Sequence, residues 1–415
     1  QIADEKGLQE PEFIARIHAE FAQANTCGVG YNTLRFDDEV TRFTLYRNFY
    51  DPYAREWQQG NSRWDIIDLV RMTYALRPDG ITWPQHDEGQ PSFRLEDLVA
   101  ANGIQHESAH DALSDVRATI ALARLLRIQQ PRLYQWLFRL RNKHQAAAQL
   151  DLVNHNPVVH TSRMYPAKTG CTTLVMPLIA EPGNNSSVLV YDLRHDPDMF
   201  LDLDITDLDQ LLFTRSEDLP EGMQRLPVKS VKINKCPALA PRNTLDAQAA
   251  ERIALDLDAC HRHWQKLSEH PDFFRRVAKA YTSREFESSG DVDVALYDGF
   301  LDNVDAASLA QIRRAAPQQL AKMRFDFHDQ RLPELLFRYR ARNWPETLTL
   351  AETERWEQIR LQRLMQGNGG GSITYAGFAD QLAVLRDMHK DHVHAQQILE
   401  ALEAWGKDVV NSQSD

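Results

Sequence analysis

The sequence predicts a mixed helix-and-strand region, then a small antiparallel barrel or sandwich, then an all-α C-terminal region. Three observations carry this. An amphipathic segment at 9–24 leads straight into a short strand at 26–31 and on into another helix. Between 158 and 233 the texture changes to short β-branched runs separated by turn signals. Beyond Pro241 the pattern is helical almost to the end. A chain of 415 residues has room for two or three domains of ~150 residues each, and its texture changes near 155 and again after Pro241.

The first helix sets Phe13, Ile14, Ile17 and Phe21 on one side. The strand that follows breaks at Asn32 and delivers Asp37 to a helix over 37–49. Asp37, Asp38 and Glu39 fall in its first turn, where the helix dipole favours carboxylates. From Arg47 to Trp57, aromatic rings alternate with arginines. Rings can stack bases and guanidinium groups can take phosphates, as a single-strand groove requires; a packed loop with aromatic anchors would explain the same run. Residues 61–76 read as a helix, 78–91 as a loop, and 93–102 as a helix closed by Asn102-Gly103.

The stretch Ser108-Ala109-His110-Asp111-Ala112-Leu113-Ser114-Asp115 places His110 in a loop and Asp115 in the first turn of a helix running to Ile128. Leu113, Val116, Ile120 and Ala123 recur along it as one buried face. A first-turn carboxylate can hold a cation rigidly, whereas a loop imidazole can swing to meet a water. Their spacing is too wide for two ligands on one helical face, so two different jobs are implied. Taken alone, the stretch also reads as a surface histidine beside an N-terminal acid.

The strands of this barrel or sandwich are read at 158–160, 172–176, 187–193 and 228–233, with a helix near 204–212. The later helices are read at 245–283, 305–322, 331–342, 348–366 and 375–411, with a flexible Gly-rich connector at 367–372.

A net charge of -12 argues against a protein that coats nucleic acid, since such binding depends on neutralising phosphates. It leaves room for one locally basic groove, because 47 Lys and Arg can cluster. Arginine is dense at 35–55, 124–141 and 338–342. Hydrophobic residues make up 43% and no apolar run is long enough for a bilayer. The four cysteines form no Cys-x-x-Cys pair and read as reduced cytosolic thiols. No secretory leader is evident, so a cytoplasmic protein is expected.

Asn32-x-x-x-Phe36-Asp37 followed by His110-x-x-x-x-Asp115 resembles the second and third blocks of the DEDDh exonucleases, which use four acidic ligands, two metal ions and a histidine. The runs Arg35 to Arg42, Tyr46 to Tyr53, Asn61 to Asp65, Ala75 to Pro78, Pro91 to Glu96 and Ile233-Asn234-Lys235-Cys236-Pro237 are similar to the bacterial exonuclease I family, nearly end to end. The resemblance implies an RNase H-like α/β nuclease domain of DEDDh exonuclease type over 1–130, an SH3-like β-barrel domain over 131–284 and a helical C-terminal domain over 285–415. It also implies 3′→5′ hydrolysis of single-stranded DNA to 5′-mononucleotides, in DNA repair and recombination.

By the same resemblance Asp37 and Asp115 are metal ligands, His110 is the general base, and Arg94 faces the substrate. Arg42, Tyr53, Trp57 and Arg71 match positions along the strand path, and Arg77 one that docks the acidic C-terminal tail of the single-stranded-DNA-binding protein. Two Mg2+ are expected, with Mn2+ possible, in a monomer with no membrane partner. The family's first block, Asp-x-Glu on the first strand, has no counterpart. Asp4-Glu5, Asp65 and Asp68 lie on no expected strand and are not substitutes. The chain is therefore read as N-terminally truncated, with an unstable or partly open nuclease domain. Two alternatives stay open: an inactive chain that binds single-stranded nucleic acid, and an RNA exonuclease of the oligoribonuclease kind.

Overall fold

The computed structural model describes residues 7–86, 89–104, 112–282, 288–367 and 370–411. The chain divides into two compact units, one formed by 21–39 with 54–286 and the other by 1–20, 40–53 and 287–415.

In the larger unit, β1 (Cys27–Gly30) and β2 (Ser62–Asp65) pair in parallel, Gly30 opposite Asp65. This corrects the helix expected over 61–76. The segment is a strand that turns at Ile66 into the helix α3 (Ile67–Leu76). Burial on both faces favours the strand, since Arg63, Trp64 and Asp65 are consecutively buried. Trp64 packs edge-on against Tyr134 and Phe138, with ring centroids at 5.0 and 5.1 Å.

A five-stranded antiparallel sheet follows, in the order β6-β5-β4-β3-β7: β3 (Val158–Thr161), β4 (Thr172–Ala180), β5 (Ser187–Asp192), β6 (Val228–Lys232) and β7 (Ala238–Pro241). Successive strand residues face opposite sides, so the unbroken burial of β5 and of Thr172–Leu178 in β4 means both sides are covered. Helix α3 packs on β3, β4 and β7, and the helix Pro271–Tyr281 on β4. A bulge between Pro177 and Ile179 accommodates the proline in the ladder. The fifth strand, Ala-Leu-Ala-Pro, has no β-branched residue and gives no strand signal of its own. It forms because β3 offers it an edge, pairing His160 with Leu239.

The helix expected over 245–283 is three. Asp246 and Asp256 cap the starts of Ala247–Arg252 and Leu257–Ser268, accepting from the N–H groups of Ala249 and Ala259, and Pro271 opens the third. The stretches 305–322 and 375–411 also divide, the latter into Tyr375–Met388 and Val393–Asn411.

In the smaller unit, Tyr46, Phe49, Leu309, Leu332, Leu335 and Tyr339 form a separate apolar core. The helix α1 (Glu10–Phe21) carries Glu10, which receives two bonds from Arg47, at 2.8 and 2.6 Å, and one from Asn48 at 2.8 Å. Buried Asp293 gathers Arg338, Arg342 and Arg363 at 2.6–2.9 Å. Burial alone would raise its carboxyl, but Arg342 and Arg338 hold it below the usual range. Among the described residues no helix is long and apolar enough to cross a membrane.

Candidate functional site

The site is organised by the turn that leaves β1. Gly30 is required by close approach: a Cβ there would lie 2.1 Å from Thr33 Cγ2. Asn32 then takes a left-handed conformation with φ 60°. Asp65, at the end of the neighbouring strand, pins the turn by accepting from the backbone N–H groups of Asn32, Leu34 and Ile67 at 2.7, 3.2 and 3.0 Å. Its burial pushes the carboxyl above the usual range, although those three N–H groups oppose the shift. Asp65 thus lies on a strand, contrary to the sequence expectation, and its oxygens serve the backbone.

From this turn the chain enters the helix α2 (Asp37–Arg47), with Asp37 in its first turn. The helix α4 (Leu95–Ala101) is preceded by Arg94, and the helix α5 (Ala112–Gln129) carries Asp115 in its first turn. Asp37, Arg71, Arg94 and Asp115 all line one cleft of about 1140 Å³. Two carboxylates at two helix N-termini therefore share a cavity, each in the position the helix dipole favours.

The cleft's walls are basic although the chain is acidic. Arg71 on α3 binds Asp68 at 2.7 Å and lies 6.0 Å from the Phe93 ring centroid. Arg94 is exposed and bonded to Glu96 at 2.8 Å. Arg124 and Arg127 enter from α5, and Arg163 from the loop after β3. Arg35 is pushed below its ordinary value by burial and by the positive charges of Arg163 and Arg71, so three guanidinium groups share one neighbourhood. Sequence reading missed Arg163. It stands alone between Ser162 and Met164 and reaches the cleft only through the barrel's fold. Arg124 and Arg127 belong to an arginine-dense stretch that was visible but given no role.

The apolar stripe expected to be buried on α5 is not. Leu113, Val116 and Ile120 are 55%, 55% and 44% exposed, whereas Ala118, Leu122 and Leu126 form the buried face. Val116, Ile120 and Ala123 instead line the cleft, as does Val29 of β1.

The remaining sequence-derived positions fall elsewhere. His110 lies outside the described residues. Trp57 is 65% exposed and is not among the cleft's lining residues. Arg42 and Tyr53 belong to the smaller unit, where the Arg42 guanidinium lies 5.2 Å from the Tyr53 ring centroid and donates to the Tyr297 hydroxyl at 3.2 Å. Arg77 edges a second cavity of about 540 Å³, whose lining includes Leu76, Pro131, Leu133, Trp136 and Pro241, with Arg132 beside it.

The donor chemistry of the first cleft suits a hard divalent cation. Mg2+ is commonly held by one or two carboxylates, with water and substrate phosphate oxygens completing its shell. Asp37 and Asp115 supply such a pair, and no group of three or more His, Cys, Asp or Glu that could hold a metal occurs among the described residues.

Three sequence families match the chain: Exonuclease over residues 1–123, Exonuclease I SH3-like domain over 141–283, and Exonuclease I C-terminal domain over 290–409. Exodeoxyribonuclease I of Escherichia coli K12 is 43% identical over 411 residues, covering 99% of this chain and 85% of that protein. The crystal structure of E. coli exonuclease I with a dA16 oligonucleotide superposes with a TM-score of 0.92 at 43% identity, covering 97% of this chain and 85% of that one. A crystal structure of SSB/exonuclease I with the inhibitor CFAM matches with a TM-score of 0.88 at 41% identity, covering 98% and 85%.

Proposed function

The chain belongs to the exonuclease I family, and from that premise we propose how its residues divide the reaction. It is a 3′→5′ exonuclease that hydrolyses single-stranded DNA, and it depends on a divalent metal. The carrying observation is the convergence of Asp37 and Asp115 on one cleft whose walls hold Arg71, Arg94 and Arg163.

Asp37 and Asp115 hold the divalent cations, for which we propose two Mg2+, with Mn2+ as a substitute. When bound, such ions neutralise the scissile phosphate and favour both the attacking and the leaving oxygen. His110 takes the proton of the attacking water, the task a histidine most often performs as a general base. Arg94 offers its planar fork to a phosphate oxygen near the cut. Arg71 and Arg163 take phosphates of the strand, and Arg42, Tyr53 and Trp57 contact its bases and backbone. The products are 5′-mononucleotides.

Arg77 receives the acidic C-terminal tail of a single-stranded-DNA-binding protein. The support is its cavity: an apolar floor of Leu76, Leu133 and Trp136 for a side chain, and two arginines for carboxylates. The work is divided among a nuclease part over 1–130, a barrel over 131–284 and a helical part over 285–415, in a monomer.

The test is digestion of 5′-labelled single-stranded DNA with Mg2+ or Mn2+. The label should shorten stepwise to very short products, and His110→Ala should slow this by about two orders of magnitude, the usual scale for losing a general base. A label left intact by the wild-type chain would overturn the reading. A matched RNA oligomer cut as fast as the DNA would instead favour the oligoribonuclease alternative.

A further inference from the structure

We infer that a buried ion quartet next to Asp37, locked by a loop of the barrel, is a positioning device for that carboxylate. The helix α2 opens with three successive acids, Asp37, Asp38 and Glu39. Successive helical side chains diverge by about 100°, so the three cannot share one target. Asp37 lines the cleft. Asp38 turns into the protein, where it accepts from Arg55 Nη2 at 2.7 Å and Arg63 Nη1 at 3.3 Å. Both arginines also reach Glu56, at 3.8 and 3.3 Å, and all four side chains are at most 10% exposed. Two positive and two negative charges are thus buried together beside the residue proposed to hold the cation.

The barrel closes this arrangement through the loop between β6 and β7. Arg63 Nη2 donates to the Asn234 carbonyl at 3.4 Å, and the Cys236 thiol donates to the Arg63 carbonyl at 3.0 Å. Lys235 Nζ lies 3.4 Å from Glu39 Oε1. That last pair is partly exposed and adds little stability. Asn234-Lys235-Cys236 therefore touches β2 and the first turn of α2 at once.

Stability alone does not account for the quartet, because buried ion pairs roughly break even against well-packed apolar residues. What it supplies is direction. Arg55 holds one Asp38 oxygen and Arg63 the other, each through a single nitrogen, so the carboxylate is gripped from two sides and its rotamer is fixed together with the turn that carries Asp37. A cation site needs its ligands held within about half an ångström, and groups behind the ligands provide this.

The inference rests on Asp37 being a cation ligand, so the experiment separates the two. Asp38→Asn, Lys235→Met and Asp37→Asn are compared in the full chain. The readouts are hydrogen exchange of a metal-free peptide covering 33–45, Mn2+ affinity by paramagnetic resonance, and kcat and KM on single-stranded DNA. Asp38→Asn should speed exchange in that peptide and weaken Mn2+ binding about 10-fold, a typical loss for groups behind a ligand, with KM within twofold. Lys235→Met leaves the quartet whole and should show a smaller shift in the same readouts; it decides the matter if Asp38→Asn does not fold. Faster exchange or a lower Tm with Mn2+ affinity and kcat unchanged would overturn the inference and leave the site reading intact. Undiminished Mn2+ binding by Asp37→Asn would overturn both.

Discussion

Asp37, Asp38 and Asp65 are chemically alike and are put to three uses: a cleft-facing oxygen donor, the centre of a buried charge cluster, and a cap on three backbone N–H groups. The same dependence on surroundings governs His160 on β3, which is buried and bonded through Nδ1 to the Tyr165 hydroxyl at 2.9 Å. Burial, reinforced by Lys229, pushes its pKa down to about 3. Between about pH 6.5 and about 3 the unfolded chain binds a proton that the folded chain refuses, so stability falls as pH falls through that window. Urea unfolding from pH 7 to 4 should therefore show a steeper loss in the wild type than in His160→Gln, by about 1.4 kcal/mol per pH unit. Parallel curves would refute this. Burial likewise pushes the Cys171 thiol up to about 11 and Cys236 and Cys260 up to about 12. Iodoacetamide at pH 8 should spare these three in the native chain and modify them once it unfolds.

At the level of elements, α5 shows how far a pattern can be read. Its helical period was plain from the sequence, and so was the placement of Asp115 in the first turn. Which stripe is buried was not, because Leu113, Val116 and Ile120 make as good an apolar row as Ala118, Leu122 and Leu126. The choice is made by what packs alongside, which periodicity does not encode. Leu122→Ala should cost about 2–5 kcal/mol in urea unfolding, whereas Val116→Ala should stay near 0.5 kcal/mol; equal costs would contradict the burial. Strands β2 and β7 escaped for related reasons. Ser-Arg-Trp-Asp carries two charges and Ala-Leu-Ala-Pro no β-branched residue, so both are strands through their neighbours' edges. The β-branched barrel strands, the helical C-terminal region and the turn at Asn32 announce themselves locally. Arg163 does not, since only the folding of the chain after β3 brings it to the cleft. The second cavity carries its own element-scale expectation: Arg77→Glu should weaken binding of an acidic peptide tail by at least 10-fold while digestion of bare DNA continues at the wild-type rate.

For the whole molecule, charge is the informative quantity. A chain with a net charge of -12 binds a polyanion only where arginines gather, so affinity for single strands should rest on few contacts and depend strongly on salt. Arg163→Ala should flatten the plot of log K against log salt by about 0.7, the value for one phosphate on a single strand; an unchanged slope would remove Arg163 from the strand path. The central claim is that Asp37 and Asp115, from two different helices, serve one cation site. Titrating Mn2+ into the wild type, Asp37→Asn and Asp115→Asn, with free metal followed by paramagnetic resonance, tests it most directly. The account predicts that each substitution removes the same binding event, whereas full Mn2+ binding by either variant would contradict it.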